Sequence, residues 1–447
     1  MRVRICLCFI LVTMIFSLGG CGEKKEEFLE DTYIEGQDYQ YMFASPDFNF
    51  SFAQKGENGY YLINNGYRIY YDTKADVATP LCNQVDCLHD KEENEKLQKK
   101  CHARYDCLED GLESQIQYYN GDLYMLTPLD AETGVVKLMK YPEDGSEGSV
   151  VRTFKNANIT YWIIHRGYMY FCSESYSIEG EEDGDVDRTQ GVFRCSIIDD
   201  DAKSECIFTP DEECVGLELA TIQAYGNHIY FFQCGFTEAI KDKDYKEYLA
   251  WRTYHYDIRT KKVSEIEVEE QKDNKYSFTQ NGAGCLSFVD GKLLFAAMDI
   301  REGEDHESEN YGIGTQWYFA DLDGSNQTKA LKTDYQYDHV FCDDRYIYVD
   351  NQFEVEYMTL YGEDDQKPKQ TYKIYDKQMH FVDEITMPFE EAVGLMIGDK
   401  QYQFLIFGDE DSGISAVWNK DDIGKNKGKF PDIKEVYKVE LATMDEE

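Results

Sequence analysis

The sequence predicts an all-β fold of seven repeated four-stranded units, and three observations predict it. A short unit recurs seven times along the chain, the composition is aromatic and β-forming, and no 10- to 15-residue amphipathic helical pattern separates the runs. With 42% hydrophobic residues, 36 Tyr and 25 Phe among its 447 residues, the chain has enough apolar surface to exclude wholesale disorder despite its charge.

Each unit opens with a β-run and a turn built on Gly, Asn or Asp, followed by an aromatic strand. The turn and strand read Gly59-Tyr60-Tyr61-Leu62-Ile63, Asn120-Gly121-Asp122-Leu123-Tyr124-Met125, Arg166-Gly167-Tyr168-Met169-Tyr170-Phe171 and Gly226-Asn227-His228-Ile229-Tyr230-Phe231. They continue with Asp290-Gly291-Lys292-Leu293-Leu294-Phe295, Asp343-Asp344-Arg345-Tyr346-Ile347-Tyr348 and a degenerate seventh copy, Gly398-Asp399-Lys400-Gln401-Tyr402-Gln403-Phe404. A third strand follows each: Tyr67 to Asp72, Val135 to Tyr141, Val192 to Ile197, Trp251 to Asp257, Gln316 to Asp321, Thr371 to Asp376 and Ile414 to Trp418. Turns then lead to a fourth. Four strands joined by hairpins form one antiparallel blade, and seven blades that cannot bury their faces alone close a β-propeller. Residues 38–447 are expected to form this single domain, with Asp38 to Phe52 as an inner strand of blade one or partly as a closing strand.

Residues 1–20 read as a secretory signal: Arg2 and Arg4, then an apolar stretch from Ile5 to Phe16, then Gly19-Gly20. The stretch is too short to span a bilayer. Leu18-Gly19-Gly20-Cys21 matches the bacterial lipobox. This resemblance implies cleavage before Cys21, a diacylglyceryl thioether on its sulfur, and a lipid-anchored protein on the extracytoplasmic face of the cell membrane. Residues 21–37 are expected as a lipidated cysteine with a flexible tether. Losing residues 1–20 removes two arginines and no acid, so the formal net charge of −42 becomes more negative still. Such a surface repels nucleic acid and anionic head groups, and it favours neutral or cationic partners.

In a propeller the connections from second to third strand, and from fourth strand to the next blade, open on one face. The long insertions are of this kind: Ser173 to Gln190, Gly235 to Leu249, Asp299 to Thr315, Asn351 to Gln370, and the cysteine segment Cys82 to Leu112. Loops carried by a rigid scaffold are where binding residues collect. Tyr176, Phe236, Tyr311, Phe353 and Tyr357 are the aromatics there on which a glycan would stack, and the surrounding acids would answer a cationic peptide.

Cys82, Cys87, His89 and Cys101 fall within twenty residues. A disulfide is the first reading for an exported chain, because a long, weakly apolar loop needs a staple. Three thiolates and one imidazole also make a closed tetrahedral zinc set, although Cys82-x4-Cys87 is wider than the usual knuckle. Both readings are structural, reduced free thiols are the remaining one, and no other cofactor is expected. Cys172, Cys195, Cys206, Cys234, Cys285 and Cys342 sit on or beside strands, where cysteine acts as a small core hydrophobe.

The repeats, the lipobox, the segment Pro80-Leu81-Cys82-Asn83-Gln84-Val85-Asp86-Cys87-Leu88-His89-Asp90 and the run Gly413-Ile414-Ser415-Ala416-Val417-Trp418 with Lys420-Asp421-Asp422-Ile423-Gly424 together resemble a group of propeller lipoproteins from Gram-positive anaerobic bacteria. The resemblance implies the fold and the anchor, and no activity. The sequence carries no Gly-x-Ser-x-Gly elbow, His-Glu-x-x-His pair, phosphate-binding Gly-Lys-Ser/Thr loop or Gly-x-Gly-x-x-Gly turn. The expectation is therefore a non-enzymatic binding or scaffold lipoprotein. The alternatives are a glycosidase or lyase acting on a neutral polysaccharide, and an envelope assembly factor.

Overall fold

The computed structural model describes residues 29–44, 51–64, 66–92, 94–105, 115–130, 132–155, 157–176, 189–199, 202–210, 214–237, 249–269, 286–298, 315–333, 339–351, 369–387, 396–409, 412–425, 428, 430 and 432–440. Within them lie seven four-stranded antiparallel sheets, each built from four consecutive strands. Blade one is β1 to β4 (Ala53–Lys55, Tyr60–Asn64, Tyr67–Asp72, Val77–Pro80) and blade two β5 to β8 (Gln117–Tyr119, Asp122–Leu126, Val135–Pro142, Ser149–Lys155). Blade three is β9 to β12 (Ala157–His165, Tyr168–Tyr176, Thr189–Ser196, Glu205–Phe208) and blade four β13 to β16 (Cys214–Tyr225, His228–Thr237, Leu249–Asp257, Lys262–Glu265). Blade five is β17 to β20 (Leu286–Val289, Lys292–Met298, Thr315–Ala320, Thr328–Thr333) and blade six β21 to β24 (Val340–Cys342, Tyr346–Asp350, Thr371–Asp376, Phe381–Thr386). Blade seven is β25 to β28 (Ile397–Gly398, Tyr402–Asp409, Ser412–Asn419, Lys434–Glu440).

Burial falls from the axis outward. Every residue of β2 and of β22 is buried, because a second strand lies between two neighbouring blades and hides both its faces. That is why these strands read as continuous aromatic runs instead of alternating ones. Fourth strands such as β4 and β16 are largely exposed. The first-to-second turns of blades two, three and five put both central residues at positive φ: Asn120 and Gly121 at 50° and 88°, Arg166 and Gly167 at 50° and 80°, Asp290 and Gly291 at 49° and 76°. These are type I′ hairpins, whose twist matches the strands they join. Blades six and seven use aspartate instead. Asp343 Oδ1 accepts from the Arg345 and Tyr346 amides, and Asp399 Oδ1 from those of Gln401 and Tyr402.

The chain before blade one enters the middle of the ring. Neither of the roles expected for Asp38 onward is filled by residues 38–44: the inner strand of blade one is Ala53–Lys55, and Tyr41–Phe43 form a 3₁₀ turn. Residues 29–37, expected as part of a flexible tether, are instead bound to the ring's turns. Arg166 donates to both carboxylate oxygens of Asp38, to the carbonyls of Glu30 and Thr32, and to Asn227 Oδ1. The Asn120 amide donates to the Gly36 carbonyl at 2.7 Å. The Tyr39 amide donates to His165 Nδ1, whose Nε2 reaches the Gly226 carbonyl at 2.7 Å, so the proton sits on Nε2. Tyr41 packs on Tyr225 and Phe288, and Phe43 on Tyr60 and Phe404. The segment thus touches blades one to five and blade seven. It occupies the first-to-second-turn end of the axis, opposite the ends where second strands give way to third strands. Gly226, at φ 59°, lies so close beneath it that a Cβ would stand 2.6 Å from Asp31 Oδ1.

Among the described residues blades seven and one share no strand, and side chains hold the seam. Tyr60 donates to Asp399 Oδ2 at 2.7 Å, Lys55 lies 3.5 Å from the same oxygen, and Asn64 Nδ2 donates to Ser415 Oγ at 2.8 Å. On the other side of blade seven, the fully buried Lys420 donates to Asp343 Oδ2 and to the Asp399 carbonyl. Blades six, seven and one are thereby joined through one buried run of charged and phenolic groups.

Candidate metal centre

The loop that leaves β4 is irregular because little in it is apolar. Val85, Leu88 and Leu97 are all exposed, and among the described residues from 81 to 105 only Leu81, Cys101, Ala103 and Tyr105 are buried. Its backbone is folded by short turns: Cys82 N to the Pro80 carbonyl, Cys87 N to that of Gln84, a 3₁₀ turn His89–Lys91, a single helical turn Glu95–Gln98, and Cys101 N to the Gln98 carbonyl. It is fastened at two places. The Arg68 amide donates to the Ala103 carbonyl and the Tyr105 amide to that of Gly66, which ties the return strand to the start of β3. On blade two the Asn83 amide donates to the Gly145 carbonyl, Asn83 Nδ2 donates to Ser146 Oγ, and His102 Nδ1 lies 3.2 Å from the same carbonyl. A Cβ on Gly145, at φ 75°, would fall 2.9 Å from the Cys82 nitrogen, so glycine is needed where the loop crosses.

These turns bring the four residues singled out in the sequence to one point. The donor atoms of Cys82, Cys87, His89 and Cys101 all lie within 4.8 Å of one another, and His89 Nδ1 stands 3.5 Å from the Cys101 sulfur. The three cysteines are free thiols. His89 holds φ at 56°, the left-handed region that L-residues with a Cβ rarely adopt. Partial burial works to raise the Cys82 thiol, but hydrogen bonds from the Gln84 and His102 amides and from the neighbouring thiols outweigh it and leave its pKa below the ordinary value. Cys101, more deeply placed, is pushed up to about 12 by burial and by the two nearby sulfurs, against the Ala103 amide. Arg68 completes the surroundings. Its guanidinium is buried, lies 3.5 Å over the Tyr141 ring and donates to the His102 and Arg104 carbonyls. Burial lowers its pKa, and the groups that oppose the shift are the Tyr141 and Tyr105 phenols and the Cys101 sulfur. Among the described residues no carboxylate forms an ion pair with it.

The remaining predicted positions are less fully placed. Cys21, Tyr311, Phe353 and Tyr357 lie outside the described residues. Tyr176 and Phe236 close β10 and β14, opposite Thr189 and Leu249 across the long insertions, with their side chains outside the described set. Cys172, Cys195 and Cys342 are buried in blade cores as expected, whereas Cys206 is exposed. A second polar constellation went unread in the sequence: His228 Nδ1 lies 2.6 Å from His255 Nε2, and His228 Nε2 lies 3.0 Å from Asp31 Oδ2, which Arg259 also approaches at 3.2 Å. These histidines alternate with aromatics as any buried strand residue does, and their partner Asp31 is some two hundred positions away.

No protein-family model matches this chain, and no curated protein matches it in sequence. Solved structures share its fold. A puromycin-hydrolysing peptidase of Mycobacterium tuberculosis aligns over 94% of this chain and 58% of its own length, with a TM-score of 0.50 and 9% identity. The β-propeller domain of the Trilobed protease from Pyrococcus furiosus aligns over 72% of this chain and 83% of its own, at 0.42 and 11%. An oligogalacturonate lyase in complex with manganese aligns over 84% and 86%, at 0.43 and 10%. At these identities the likeness concerns the fold alone.

Proposed function

We propose that this protein is an extracytoplasmic lipoprotein, anchored through Cys21, whose propeller is a non-enzymatic binding or scaffold module that presents its loop-rich face to a partner. The observation that carries the reading is the plugged axis. The segment that leads from Cys21 into the ring occupies one end of the axis with its own tyrosines, Phe43 and a buried Asp38–Arg166 pair. That end serves as the attachment point, and the surface left for a partner is the opposite face, toward which the strands joined by the long insertions run. A neutral glycan or a cationic peptide suits the acids and aromatics of those loops.

The test has two arms. Fractionation and palmitate labelling of a Cys21→Ala variant should show the protein leaving the membrane; a variant that stays bound would refute the anchor. Purified protein lacking residues 1–21 should then be probed with arrays of neutral glycans and Lys/Arg-rich peptides, with hydrogen exchange as the readout. Protection confined to the insertions of blades three to six supports the reading. Protection centred on residues 29–44, or turnover of a polysaccharide, would overturn it, the latter in favour of a glycosidase or lyase.

A further inference from the structure

We propose that Cys82, Cys87, His89 and Cys101 bind one zinc ion in a closed, structural Cys₃His site that locks the loop between blades one and two. The proposal is independent of the anchor and of any ligand. Three features carry it, beginning with the donor set. A tetrahedral zinc with bonds of about 2.3 Å to sulfur and 2.0 Å to nitrogen needs its donors roughly 3.5 to 3.8 Å apart, and four donors within 4.8 Å, with one nitrogen–sulfur separation of 3.5 Å, approach that spacing before any ion draws them in. A disulfide would join two sulfurs and leave the third thiol and the imidazole without a purpose at the same point.

The second feature is the backbone. The amides of Gln84 and His102 bond the Cys82 sulfur, and that of Ala103 bonds Cys101. Such donors orient and stabilise thiolates, as the surroundings of metal ligands do. His89 accepts a left-handed backbone while its Nδ1 faces Cys101. Strain of that kind persists where the surroundings repay it, and metal coordination would.

The third feature is charge. Three thiolates and a neutral imidazole around Zn²⁺ carry one net negative charge, and the buried Arg68 guanidinium faces Cys101 with no carboxylate pair among the described residues. The complex supplies the missing anion. Binding transfers three thiol protons to solvent as three zinc–sulfur bonds and one zinc–nitrogen bond form. All four positions are protein ligands, so no site is left for water or substrate, and the ion's work is mechanical. It closes a loop in which Val85, Leu88 and Leu97 are exposed and whose two fastenings lie on different blades.

The experiment uses the protein from residue 22 onward, purified under reducing conditions from zinc-supplemented medium. Elemental analysis should find one zinc per chain. Thiol titration should find Cys82, Cys87 and Cys101 unreactive until a chelator is added. Reduced, metal-free protein titrated with cobalt should show thiolate charge-transfer bands in the near ultraviolet and the visible bands of a tetrahedral ion. Cys87→Ser and His89→Ala should each weaken cobalt binding by at least about tenfold, and Cys206→Ser should leave it unchanged. Retention of full affinity in Cys87→Ser would exclude this ligand set. Peptide mapping that finds two of the three cysteines disulfide-linked, together with no cobalt–thiolate absorption by the reduced protein, would overturn the proposal even if the variants failed to fold.

Discussion

Single residues set much of this molecule's stability through buried charge. Asp38 is fully buried and receives two hydrogen bonds from Arg166, itself held at a positive φ that Asn or Gly would adopt more readily. Removing the carboxylate strands a guanidinium inside the ring. Asp38→Asn should therefore cost about 3–5 kcal/mol of unfolding free energy, measured by denaturant titration; a loss near zero would mean that solvent reaches the pair. The histidines near the plug make a separate claim about pH. Burial, then His228, depresses His255 to about 4 from 6.5, and burial also lowers His165. Between pH 6.5 and 4 the unfolded chain binds a proton that the folded His255 refuses, so this contribution to stability is whole above 6.5 and is lost as the pH falls toward 4. The unfolding free energy should decline over that window, and His255→Gln should flatten the decline. An unchanged slope in the variant would assign the dependence to other groups.

Among the elements, the segment from Leu29 to Ala44 is the one whose role differs most from its position in the chain. With no strand shared between blades seven and one among the described residues, the closing seam rests on side chains, and this segment adds a hub that touches both its edges: Gln40 exchanges hydrogen bonds with Lys55 of blade one, and Phe43 packs on Phe404 of blade seven. Phe43→Ala should remove about 3–5 kcal/mol and expose the seam first. Hydrogen exchange should then quicken in Tyr60–Asn64 and Tyr402–Asp409 before it does in blade four; uniform acceleration would show that the ring opens as one unit. The cysteine loop is the opposite case. It was legible in the sequence as a cluster because its ligating residues are close in sequence, whereas its fastening to Gly145 and Arg68 was not, since those residues carry no signal apart from the contact.

Across the whole molecule two predictions concern solvent and membrane. Burial disfavours the phenolate and raises the pKa of many tyrosines; that of Tyr118, for one, goes up to about 12, with the Glu143 carboxylate adding to the effect, and those of Tyr39 and Tyr230 are shifted further in the same direction. A tyrosine raised in the folded state contributes stability that is intact below its unfolded value near 10 and is lost as the pH climbs through the folded one. Tyrosinate absorbance should consequently rise in one cooperative step above pH 10, together with loss of near-ultraviolet circular dichroism. Gradual titration with the fold intact would contradict the burial described. The second prediction follows from the lipid anchor proposed above. Seven residues separate Cys21 from Leu29, a reach of at most about 29 Å, and Leu29 accepts from Asn227 in a first-to-second turn. Fluorophores placed at Asn120 or Asp290 should then transfer energy to a membrane dye more efficiently than fluorophores in the insertion of blade five. Equal transfer from both faces would mean that the protein tumbles freely on its tether.

Strand order and blade number could be read from the chain alone, because each depends on local repetition. The aromatic second strands are apolar on both faces wherever a blade lies between two others, and the Asn120-Gly121, Arg166-Gly167 and Asp290-Gly291 turns mark where each returns. Even the degenerate seventh copy kept its Gly398-Asp399 turn and Phe404, and it forms a full blade. What joins the blades lay beyond such reading. Lys420 meets Asp343, Arg166 meets Asp38, and His228 meets Asp31 across separations of 77 to 197 residues, and no periodicity relates one partner to the other. Closing the ring converts an apparently polar leader into its hub, since a charge becomes tolerable at the centre only once a distant partner has been brought there to neutralise it.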